Sequence, residues 1–535
     1  MTIKRALVVG GGIGGLSAAI RLRAAGVSVT LIEHGSKLGG KLNQWEGPHR
    51  EDGAESGFRF DTGPSLLTLP LVFADLFAAA GRDIRQAVPL VRLDPVSRFV
   101  WGDGTKFELR ADRAALLDEV RRLAPGDVAG FERFLAFGRK VWDLSGELFL
   151  SQSPEQALRG DGTFSPGRAL AMLTVPLRIG MFRKYAALVD KHIQNQRLRE
   201  VLYQYATYSG ASPFLAPATL AVIPHVELDM GGWYVPGGMY TIASELEKLA
   251  RELGVDIRLN TPVARILTDG TGKDRKARGV RLVDGTELVA DAVVCNADVM
   301  YAYRDLIVPE DRPGWSDAKL AKIEPGGSGM VLLLGVQGTY PQLAHHTKFM
   351  PDDYRSDLRA MFETRTIPDD PCIYVCASTR TDPTQAPPGC ENLFVLCSAP
   401  PLDGTIDWAI EGPKYRDRVV ATLEHKFGLT DLSKRIVVER RITPADLKSM
   451  YNANAGSIYG ISSNGVKQAF LRPPNRDRDI KGLFFAGGAT HPGGGLPLVA
   501  LSGKIAAELA SEYLATLQVE GPQMNADERG SDEES

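Results

Sequence analysis

The chain has 535 residues, a length that suits two or three domains with a large hydrophobic core. Its 44% hydrophobic content is that of a globular protein, and its net charge of −3 excludes the strongly basic field of a nucleic-acid-binding protein. No run of about 18 or more apolar residues is present, so we expect no membrane-spanning helix. Glycines interrupt the first apolar strand at once, which argues against a signal peptide.

The first 33 residues follow the order of a dinucleotide-binding unit. A strand is predicted at 6–9, a helix at 16–24 and a second strand at 27–32. Residues 10–15 between the first strand and the helix form the pattern G-x-G-x-x-G. A lone glycine pattern is a weak signal, but here it stands between a strand and a helix, as the nucleotide-binding fingerprint requires.

Each residue type in this unit has a physical role. Gly10 permits a tight turn, Gly12 lets the backbone approach a pyrophosphate, and Gly15 lets the helix pack closely on the strand. The pyrophosphate is expected at the helix N-terminus, where free N–H groups and the helix dipole favour negative charge. Glu33 lies near the spacing of about 20 residues at which a carboxylate binds the adenosine ribose. We therefore predict a dinucleotide site.

A second glycine-rich loop follows a strand predicted at 482–486. Glycines crowd residues 487–495, and a helix opens near Pro497 and continues to about Tyr513. A second helix N-terminus aimed at the same cofactor would stabilise negative charge on a reduced flavin ring. Since a nicotinamide enzyme has no need of such an element, the sequence favours FAD over NAD.

Two turns between these loops complete the predicted cofactor site. Gly40 and Lys41 follow Glu33, the predicted ribose-binding acid. They form either a second point at which the backbone approaches the nucleotide or a simple turn. The tight turn FDTGPS at 60–65 can bring backbone against a ring system. The predicted FAD-binding residues are Gly10, Gly12, Gly14, Gly15, Glu33, Gly40, Lys41, Gly63, Pro64, Val263, Gly487, Gly488, Leu496 and Pro497.

The stretch before residue 230 mixes strands and helices. Residues 90–109 read as a hairpin around a Gly-Asp-Gly turn, and the period becomes helical from 112 to about 150. Residues 164–189 combine apolar bulk with Arg168, Arg178, Arg183 and Lys184. This composition suits either an interfacial element that dips into a bilayer or a helical cap over a substrate cavity. Pro176 and Gly180 break any single long helix there.

The remaining pattern predicts a discontinuous α/β fold. A strand at 291–297 returns the chain to the first domain, and strands near 330–336, 372–377 and 392–398, with a helix at 412–427, indicate a second sheet. The predicted units are a Rossmann-like FAD-binding domain, a helical cap or membrane-facing region, a mixed-sheet substrate domain and a disordered acidic tail. The FAD-binding domain comprises 1–110, 230–300 and 470–515. The cap or membrane-facing region comprises 111–229, the substrate domain 301–469 and the acidic tail 516–535.

Cysteines and histidines give no metal signal. The five cysteines include no C-x-x-C and lie mostly in apolar runs, as expected for buried reduced thiols of a cytosolic protein. The eight histidines lack metal-ligand spacing, and His345–His346 reads as a loop pair. We predict no metal.

The chain up to about residue 515 resembles the bacterial and fungal phytoene desaturase family of carotenoid biosynthesis. The matching segments are VVGGGIGGLSAA, FDTGPS, GGWYVPGGM, LAHHT, STRTDPTQAPPGCENLFVL and FFAGGATHPGGGLPLVALSGK. The run TRTDP…APPGCE is narrow to this family, whereas the glycine motifs fit any related flavoprotein. The closing GGGLPLVALSGK departs from the wording common in phytoene desaturases, which favours a member that acts later in the pathway.

The resemblance implies an amine-oxidase-like flavoprotein, an FAD-dependent desaturase that acts on a long linear polyene. It further implies a lipophilic carotenoid substrate and peripheral attachment on the cytoplasmic side of a membrane. The electron acceptor is expected to be a quinone or oxygen, without a choice between them from the residues, and the net charge predicts no nucleic-acid partner. The family includes phytoene desaturases, 3,4-desaturases of hydroxylated end groups, isomerases and ketolases or oxygenases. The shared motifs mostly serve the cofactor and do not choose among these activities.

Desaturation removes a hydride and a proton from neighbouring carbons, so the protein must hold an apolar chain across the flavin and exclude water. We expect a long apolar tunnel whose length sets specificity. The sequence pattern identifies no residue as the catalytic base that takes up the proton. The candidates are His491 in the second glycine loop, which contacts either the ring or only the loop itself, and His225, Glu227 and Asp229 in HVELDMGG, for which structural roles are favoured over catalysis.

Two other classes stay open on sequence grounds. A flavin amine oxidase shares the cofactor frame, and oxygen consumption with amines would identify it. A lipid-binding carrier without catalysis is disfavoured by the intact glycine loop and Glu33. A purified protein that stays colourless with added FAD would favour the carrier.

Overall fold

The computed structural model describes residues 3–48, 57–150 and 174–519, without the side chains of 147–150 and 518–519. One sheet has five strands, and every neighbouring pair is parallel. Its strands, in spatial order, are Leu483–Phe485, Ala292–Cys295, Arg5–Val9, Ser28–Ile32 and Asp256–Arg258. Segments far apart in sequence therefore share one sheet.

Helices cover this sheet, so its central strands are almost fully buried, as is usual for parallel sheets. The first helix (Ile13–Ala24) packs against the C-terminal helix (Leu496–Val519) and against Thr241–Glu252. Ser17 Oγ of the first helix donates a hydrogen bond of 2.7 Å to the Ala500 carbonyl of the C-terminal helix. The first and the last of the described helices are thus in direct contact.

A second sheet has seven strands and is antiparallel except for one pair. Its strands, in spatial order, are Ile436–Ile442, Ser328–Gln337, Cys390–Ala399, Ile373–Cys376, His346–Phe349, Ser97–Val100 and Lys106–Leu109. The second and third strands in this order are the longest and are buried along most of their length. This sheet forms the floor under the helical layer.

The helical layer has a core of its own, built from large apolar side chains such as Phe131, Phe134 and Tyr185. Its helices are Arg113–Leu123, Val128–Leu150, Tyr185–His192, Gln196–Thr207 and Val222–Asp229. Shorter helices are Pro70–Ala79, Tyr354–Arg359, Trp408–Ala421, Pro444–Tyr451 and Gly465–Phe470. A three-stranded sheet comprises Val263–Asp269, Lys276–Leu282 and Glu287–Val289. None of the described helices is long and apolar enough to cross a membrane.

Several predicted elements need correction. The hairpin predicted at 90–109 was assigned to the cofactor domain from sequence. Its part at 97–109 joins the seven-stranded sheet, because Ser97–Val100 pairs with His346–Phe349. The helix expected to begin at 412 begins at Trp408, where the Asp407 side chain accepts a hydrogen bond from the Ala409 N–H.

The ends of two other predictions also differ. The C-terminal helix extends to Val519, past the start of the predicted tail at 516, and the rest of that tail lies outside the described residues. Residues 164–173 of the predicted cap or interfacial element lie outside them as well. Beyond that gap, Gly180 adopts a φ of +70° and a new helix begins at Tyr185.

Candidate active site

The first glycine loop is held in a conformation that only small residues fit. Gly10 has a φ of +95°, and its N–H donates to the Ile32 carbonyl at 2.7 Å. A Cβ on Gly15 would lie 2.0 Å from the Gly10 carbonyl oxygen. The helix therefore sits directly on the turn that follows the first strand.

Gly12 stands at the N-terminus of the first helix. This terminus has no side-chain cap and no acidic residue in its first turn. A Cβ on Gly12 would lie 3.0 Å from Asn296 Nδ2. The backbone N–H groups are thus left for an anionic group, such as a pyrophosphate, that approaches the loop.

The turn at Gly39–Gly40 packs against the first loop. The Gly39 N–H donates to the Gly11 carbonyl at 2.9 Å, and a Cβ on Gly40 would lie 3.1 Å from the Gly12 Cα. Lys41 Nζ donates to the carbonyls of Ser457 and Ile458 at 3.0 and 2.7 Å. Burial lowers the Lys41 pKa, and nearby Asp298 opposes that shift.

Glu33 is buried at the end of the second strand. Its carboxylate accepts hydrogen bonds from the N–H groups of Gly11 and Gly35, both at 2.7 Å, and lies 2.8 Å from His34 Nδ1. Burial acts to raise the pKa of Glu33, but the contacts with His34 and these backbone groups outweigh it and hold the pKa below its usual value. The residue is therefore an anionic acceptor, as a ribose contact requires.

The second glycine loop meets the first through Asn296. The Asn296 Nδ2 donates to the Gly10 carbonyl at 3.3 Å. A Cβ on Gly14 would lie 2.4 Å from Asn296 Oδ1 and 3.2 Å from the Gly487 nitrogen. The Gly487 N–H donates to Ser502 Oγ at 3.1 Å. Two helix N-termini far apart in sequence thus converge.

The motifs FDTGPS, GGWYVPGGM and TRTDP are linked by buried carboxylates. Asp61 accepts hydrogen bonds from the N–H groups of Met239 and Tyr240 at 2.8 and 3.0 Å, and burial raises the pKa of Asp61 to about 6. Asp382 accepts from the Gly237 N–H at 2.8 Å. These acids position the turn that precedes the helix Thr241–Glu252.

One large cavity of about 1330 Å³ joins these parts. Most predicted cofactor residues lie on its wall: Gly10, Gly12, Glu33, Gly40, Lys41, Gly63, Pro64, Val263, Gly487, Gly488, Leu496 and Pro497. Gly14 and Gly15 do not line it, because they lie inside the first helix and pack against Asn296 and Gly10. Contact of all these residues with FAD stays a prediction.

The cavity continues past the glycine loops into apolar surroundings formed by Trp142, Ile179, Met181, Leu220 and Ile223. Drug-sized ligands occupy about 300–1,000 Å³. The space therefore suits a dinucleotide together with part of a second, apolar molecule.

The candidate bases have different positions. His491 lines the cavity, and its carbonyl accepts hydrogen bonds from Asn475 Nδ2 and Ser502 Oγ at 2.9 and 2.8 Å. His225 and Asp229 pair with each other at 2.5 Å and do not line the cavity, and Asp229 also pairs with Arg113.

Glu227 is buried below the wall and accepts a hydrogen bond from the Tyr205 hydroxyl at 2.8 Å. It does not line the cavity either.

A hydrogen-bonded chain that the sequence did not reveal reaches the cavity. Ser65 Oγ lies 2.6 Å from the Tyr374 hydroxyl, which lies 2.7 Å from His346 Nδ1. Burial, with the charge of Lys348, lowers the pKa of His346 well below its usual value, so the imidazole is neutral. Its Nε2 has no hydrogen-bond partner among the described residues. No spacing rule joins residues 65, 346 and 374, so only the folded sheet brings them together.

The histidine pair itself differs from expectation. His345 and His346 are buried, and His346 opens a strand instead of lying in a loop. Cys376 lies beside them, with potential ligand atoms within 4.8 Å of one another. Burial lowers the pKa of His345 to about 4. The five cysteines are unpaired, and only Cys390 is partly exposed.

Related sequences identify the class. The profile of the family described as flavin containing amine oxidoreductase matches residues 13–510, so the chain belongs to that family. It is an FAD-dependent oxidoreductase of the carotenoid desaturase type, as three similar curated proteins indicate.

The first of these relatives is a 4,4'-diapolycopene oxygenase from Methylomonas sp, 39% identical over 94% of this chain and 97% of the relative. A zeta-carotene-forming phytoene desaturase from Myxococcus xanthus is 37% identical over 94% of this chain and 93% of the relative. A 4,4'-diaponeurosporene oxygenase from Staphylococcus haemolyticus is 34% identical over 95% and 97%. Both desaturases and oxygenases are thus among the relatives.

Solved structures show the same fold at low identity. A redesigned putrescine oxidase is 15% identical with a TM-score of 0.61, covering 96% of this chain and 99% of its own. Cyclohexylamine oxidase from Brevibacterium oxydans is 16% identical with a TM-score of 0.58 over the same shares. The chain therefore has the amine-oxidase-like flavoprotein fold and carries FAD. The uncapped helix N-terminus at Gly12 and the anionic Glu33 fit this cofactor.

Proposed function

We propose that the protein desaturates a long linear carotenoid by removing a hydride and a proton from adjacent carbons. The observation that carries this proposal is the single cavity that runs from Gly12 and Gly488 into the apolar wall of Trp142, Ile179 and Met181. When bound, FAD would supply the hydride acceptor for this chemistry. The names of the curated relatives support a carotenoid substrate.

The residues of the chain orient the substrate, exclude water from it and take up the proton. The apolar wall excludes water and holds a hydrocarbon by contact alone, because a polyene offers no hydrogen bonds. His346 is the proposed proton acceptor, since the residue lines the cavity and its neutral imidazole has a buried Nε2 without a hydrogen-bond partner among the described residues; a small rearrangement of the ring would bring Nε2 to the substrate. A weak base suffices, because a proton beside a delocalised cation is strongly acidic.

A second candidate is oxygenation of a chain end, or 3,4-desaturation of a hydroxylated end group. Two relatives named as oxygenases support the first of these. The two chemistries differ in mass, because desaturation removes two hydrogens whereas oxygenation adds oxygen.

Expression in cells that accumulate phytoene, lycopene or a hydroxylated carotene tests these proposals. We expect a product with more conjugated double bonds in at least one strain, identified by absorption and mass. A His346→Gln variant should lower its yield about a hundredfold, as loss of a proton-transfer group does. Unchanged pigments in every strain would refute the carotenoid assignment, and a wild-type yield from His346→Gln would exclude that residue as the acceptor.

We further propose that the protein docks on a membrane surface at the cavity mouth. Phe182 and Leu471 line the cavity and are 68% and 76% exposed, and Leu177 nearby is 71% exposed. Arg178 and Lys184 lie close to Leu177 and Phe182 in sequence and suit lipid headgroups. A lipophilic substrate would then enter the cavity directly from the bilayer.

A further inference from the structure

An arginine side chain lies against the second glycine loop and lines the cavity. Arg472 is partly buried, and its Nη2 donates a hydrogen bond to Ser463 Oγ at 2.7 Å. Its Nη1 donates to the carbonyls of Ile461 and Gly488 at 3.3 and 3.4 Å. A Cβ on Gly493 would lie 3.3 Å from Arg472 Nε. The guanidinium group is therefore held beside the loop that is predicted to approach the flavin ring.

The charge of Arg472 has no counter-ion in the described part of the protein. Among the described residues, its hydrogen-bond acceptors are a neutral hydroxyl and two carbonyls, and no carboxylate forms an ion pair with it. Burial lowers the pKa of Arg472 to about 10, so the group remains cationic at neutral pH. A cation held away from water without a partner is unfavourable, and an anionic ligand removes this cost.

Two other buried cations on the cavity wall differ from Arg472, because each has a carboxylate near it. Asp298 supports the charged form of Lys41, and Glu227 supports that of Lys348. Among the described residues, no carboxylate does the same for Arg472. Its positive charge is therefore available to a group that occupies the cavity.

The N-terminus of the helix Leu496–Val519 adds positive potential at the same loop. A Cβ on Gly488 would lie 3.3 Å from the Gly494 Cα, so the two halves of the loop are in contact. The partial positive charge at the start of the helix and the charge of Arg472 thus lie at one loop. A flavin ring that takes up two electrons and one proton acquires one negative charge, and charges near the ring tune this uptake.

We propose that Arg472 stabilises the negative charge that the flavin ring acquires on reduction and thereby raises the midpoint potential of the bound cofactor. The inference rests on FAD lying in this cavity and is independent of the molecule that reduces it. An apolar molecule bound beside the ring would exclude water and strengthen the attraction, because the effective dielectric constant falls. The alternative is a purely structural role, in which Arg472 only fastens the loop through its hydrogen bonds.

The midpoint potential of the FAD-loaded protein, measured as a function of pH, separates the two roles. The potential is determined from flavin absorbance with mediator dyes in the absence of oxygen. A two-electron couple changes by about 30 mV per pH unit for each proton taken up. We expect about 30 mV per unit for the wild type at neutral pH, because the reduced ring stays anionic, and about 60 mV per unit at low pH, where a second proton binds.

Arg472→Gln removes the charge and keeps hydrogen-bonding capacity. We expect the anion to be stabilised about tenfold less, which lowers the potential at neutral to alkaline pH by about 30 mV and raises the pH at which the slope changes by about one unit. The potential at low pH should be unchanged, because the reduced ring is neutral there. Arg472→Lys keeps the charge and should retain most of the wild-type curve. Arg478→Gln, at an exposed arginine that does not line the cavity, is the matched control.

Three results would overturn the proposal. The first is a two-proton slope for the wild type throughout neutral pH, which can be measured even if no variant folds. The second is an unchanged curve for Arg472→Gln, and the third is a shift of equal size at every pH in Arg472→Gln and Arg472→Lys alike, which indicates a structural role. His491 lies in the same loop, and its titration would affect the wild type and the variants equally. A charge-dependent shift in a protein that converts no carotenoid would refute the proposed reaction and leave the role of Arg472 standing.

Discussion

Position 12 has no room for a larger side chain. A Cβ there would lie 3.0 Å from Asn296 Nδ2 and 3.8 Å from the Gly40 Cα, between two loops that are themselves packed together. Gly12 also borders the cavity at the helix N-terminus, where a phosphate group must come close to the backbone. A branched side chain would therefore occupy cofactor space.

We expect Gly12→Val to lose bound flavin while the fold is largely kept. The measurement is flavin absorbance per protein after desalting, together with a circular dichroism melt. Gly126→Val is the matched control, because a Cβ at Gly126 meets nothing within 4 Å. Flavin content equal to that of the wild type in Gly12→Val would show that the opening loop has been misinterpreted.

Asp357 gives stability a pH dependence. It is 2% exposed, and burial raises its pKa to about 7, against hydrogen bonds from Ser398 and the backbone of Cys372. The unfolded carboxyl titrates near 3.8, so between these values the folded state holds a proton that the unfolded state has released. The contribution of Asp357 to the free energy of unfolding is largest below pH 4, decreases as the pH rises to about 7 and is constant above that.

Asp357→Asn should flatten that dependence. Its free energy of unfolding relative to the wild type should rise between pH 4 and 7 by a few kcal/mol, at most on the order of 4. Urea titrations at several pH values measure the difference, with exposed Asp369→Asn as control. A constant difference across this range would contradict the raised pKa.

At the scale of elements, the contact between the first and C-terminal helices fixes the geometry of both glycine loops. A Cβ on Gly503 would lie 2.2 Å from the Gly14 carbonyl oxygen and 2.7 Å from the Ser17 Cβ. The helices thus approach each other through small residues. Their N-termini can then face the same cavity.

Gly503→Val should push these helices apart, which costs about 1–3 kcal/mol of stability and loosens flavin binding. Urea unfolding and flavin retention at low protein concentration measure the two effects. Gly126→Val again serves as the control for added β-branching. Wild-type flavin retention despite lowered stability would separate helix packing from cofactor geometry.

The local pattern at 5–33 was sufficient to predict strand, loop, helix and acid, because each depends on neighbouring residues. The strand at Ser97–Val100 was assigned to the cofactor domain instead of the seven-stranded sheet, since its partner at His346–Phe349 is chosen by tertiary packing that alternation does not encode. Asn296, Tyr374 and His346 were missed as site residues for the same reason. Their importance arises from contacts between segments hundreds of residues apart.

At the scale of the whole molecule, the apolar rim at the cavity mouth links substrate entry to the membrane. The double variant Phe182→Ser with Leu471→Ser should reduce flotation with anionic lipid vesicles about tenfold or more, because each side chain would otherwise be buried in the interface. Val283→Ser with Val437→Ser, at exposed apolar positions that do not line the cavity, is the matched control. An equal loss of vesicle flotation in both double variants, or no loss in Phe182→Ser with Leu471→Ser, would show that the apolar rim does not dock on the membrane.

The five-stranded sheet has a consequence for fragments of the chain. The loop after its edge strand Leu483–Phe485 and the helix from Leu496 come several hundred residues after the first glycine loop, yet they supply another part of the same cavity wall. The first glycine loop alone therefore forms an incomplete cofactor pocket. We expect an N-terminal fragment that lacks the second loop and its helix to retain no flavin.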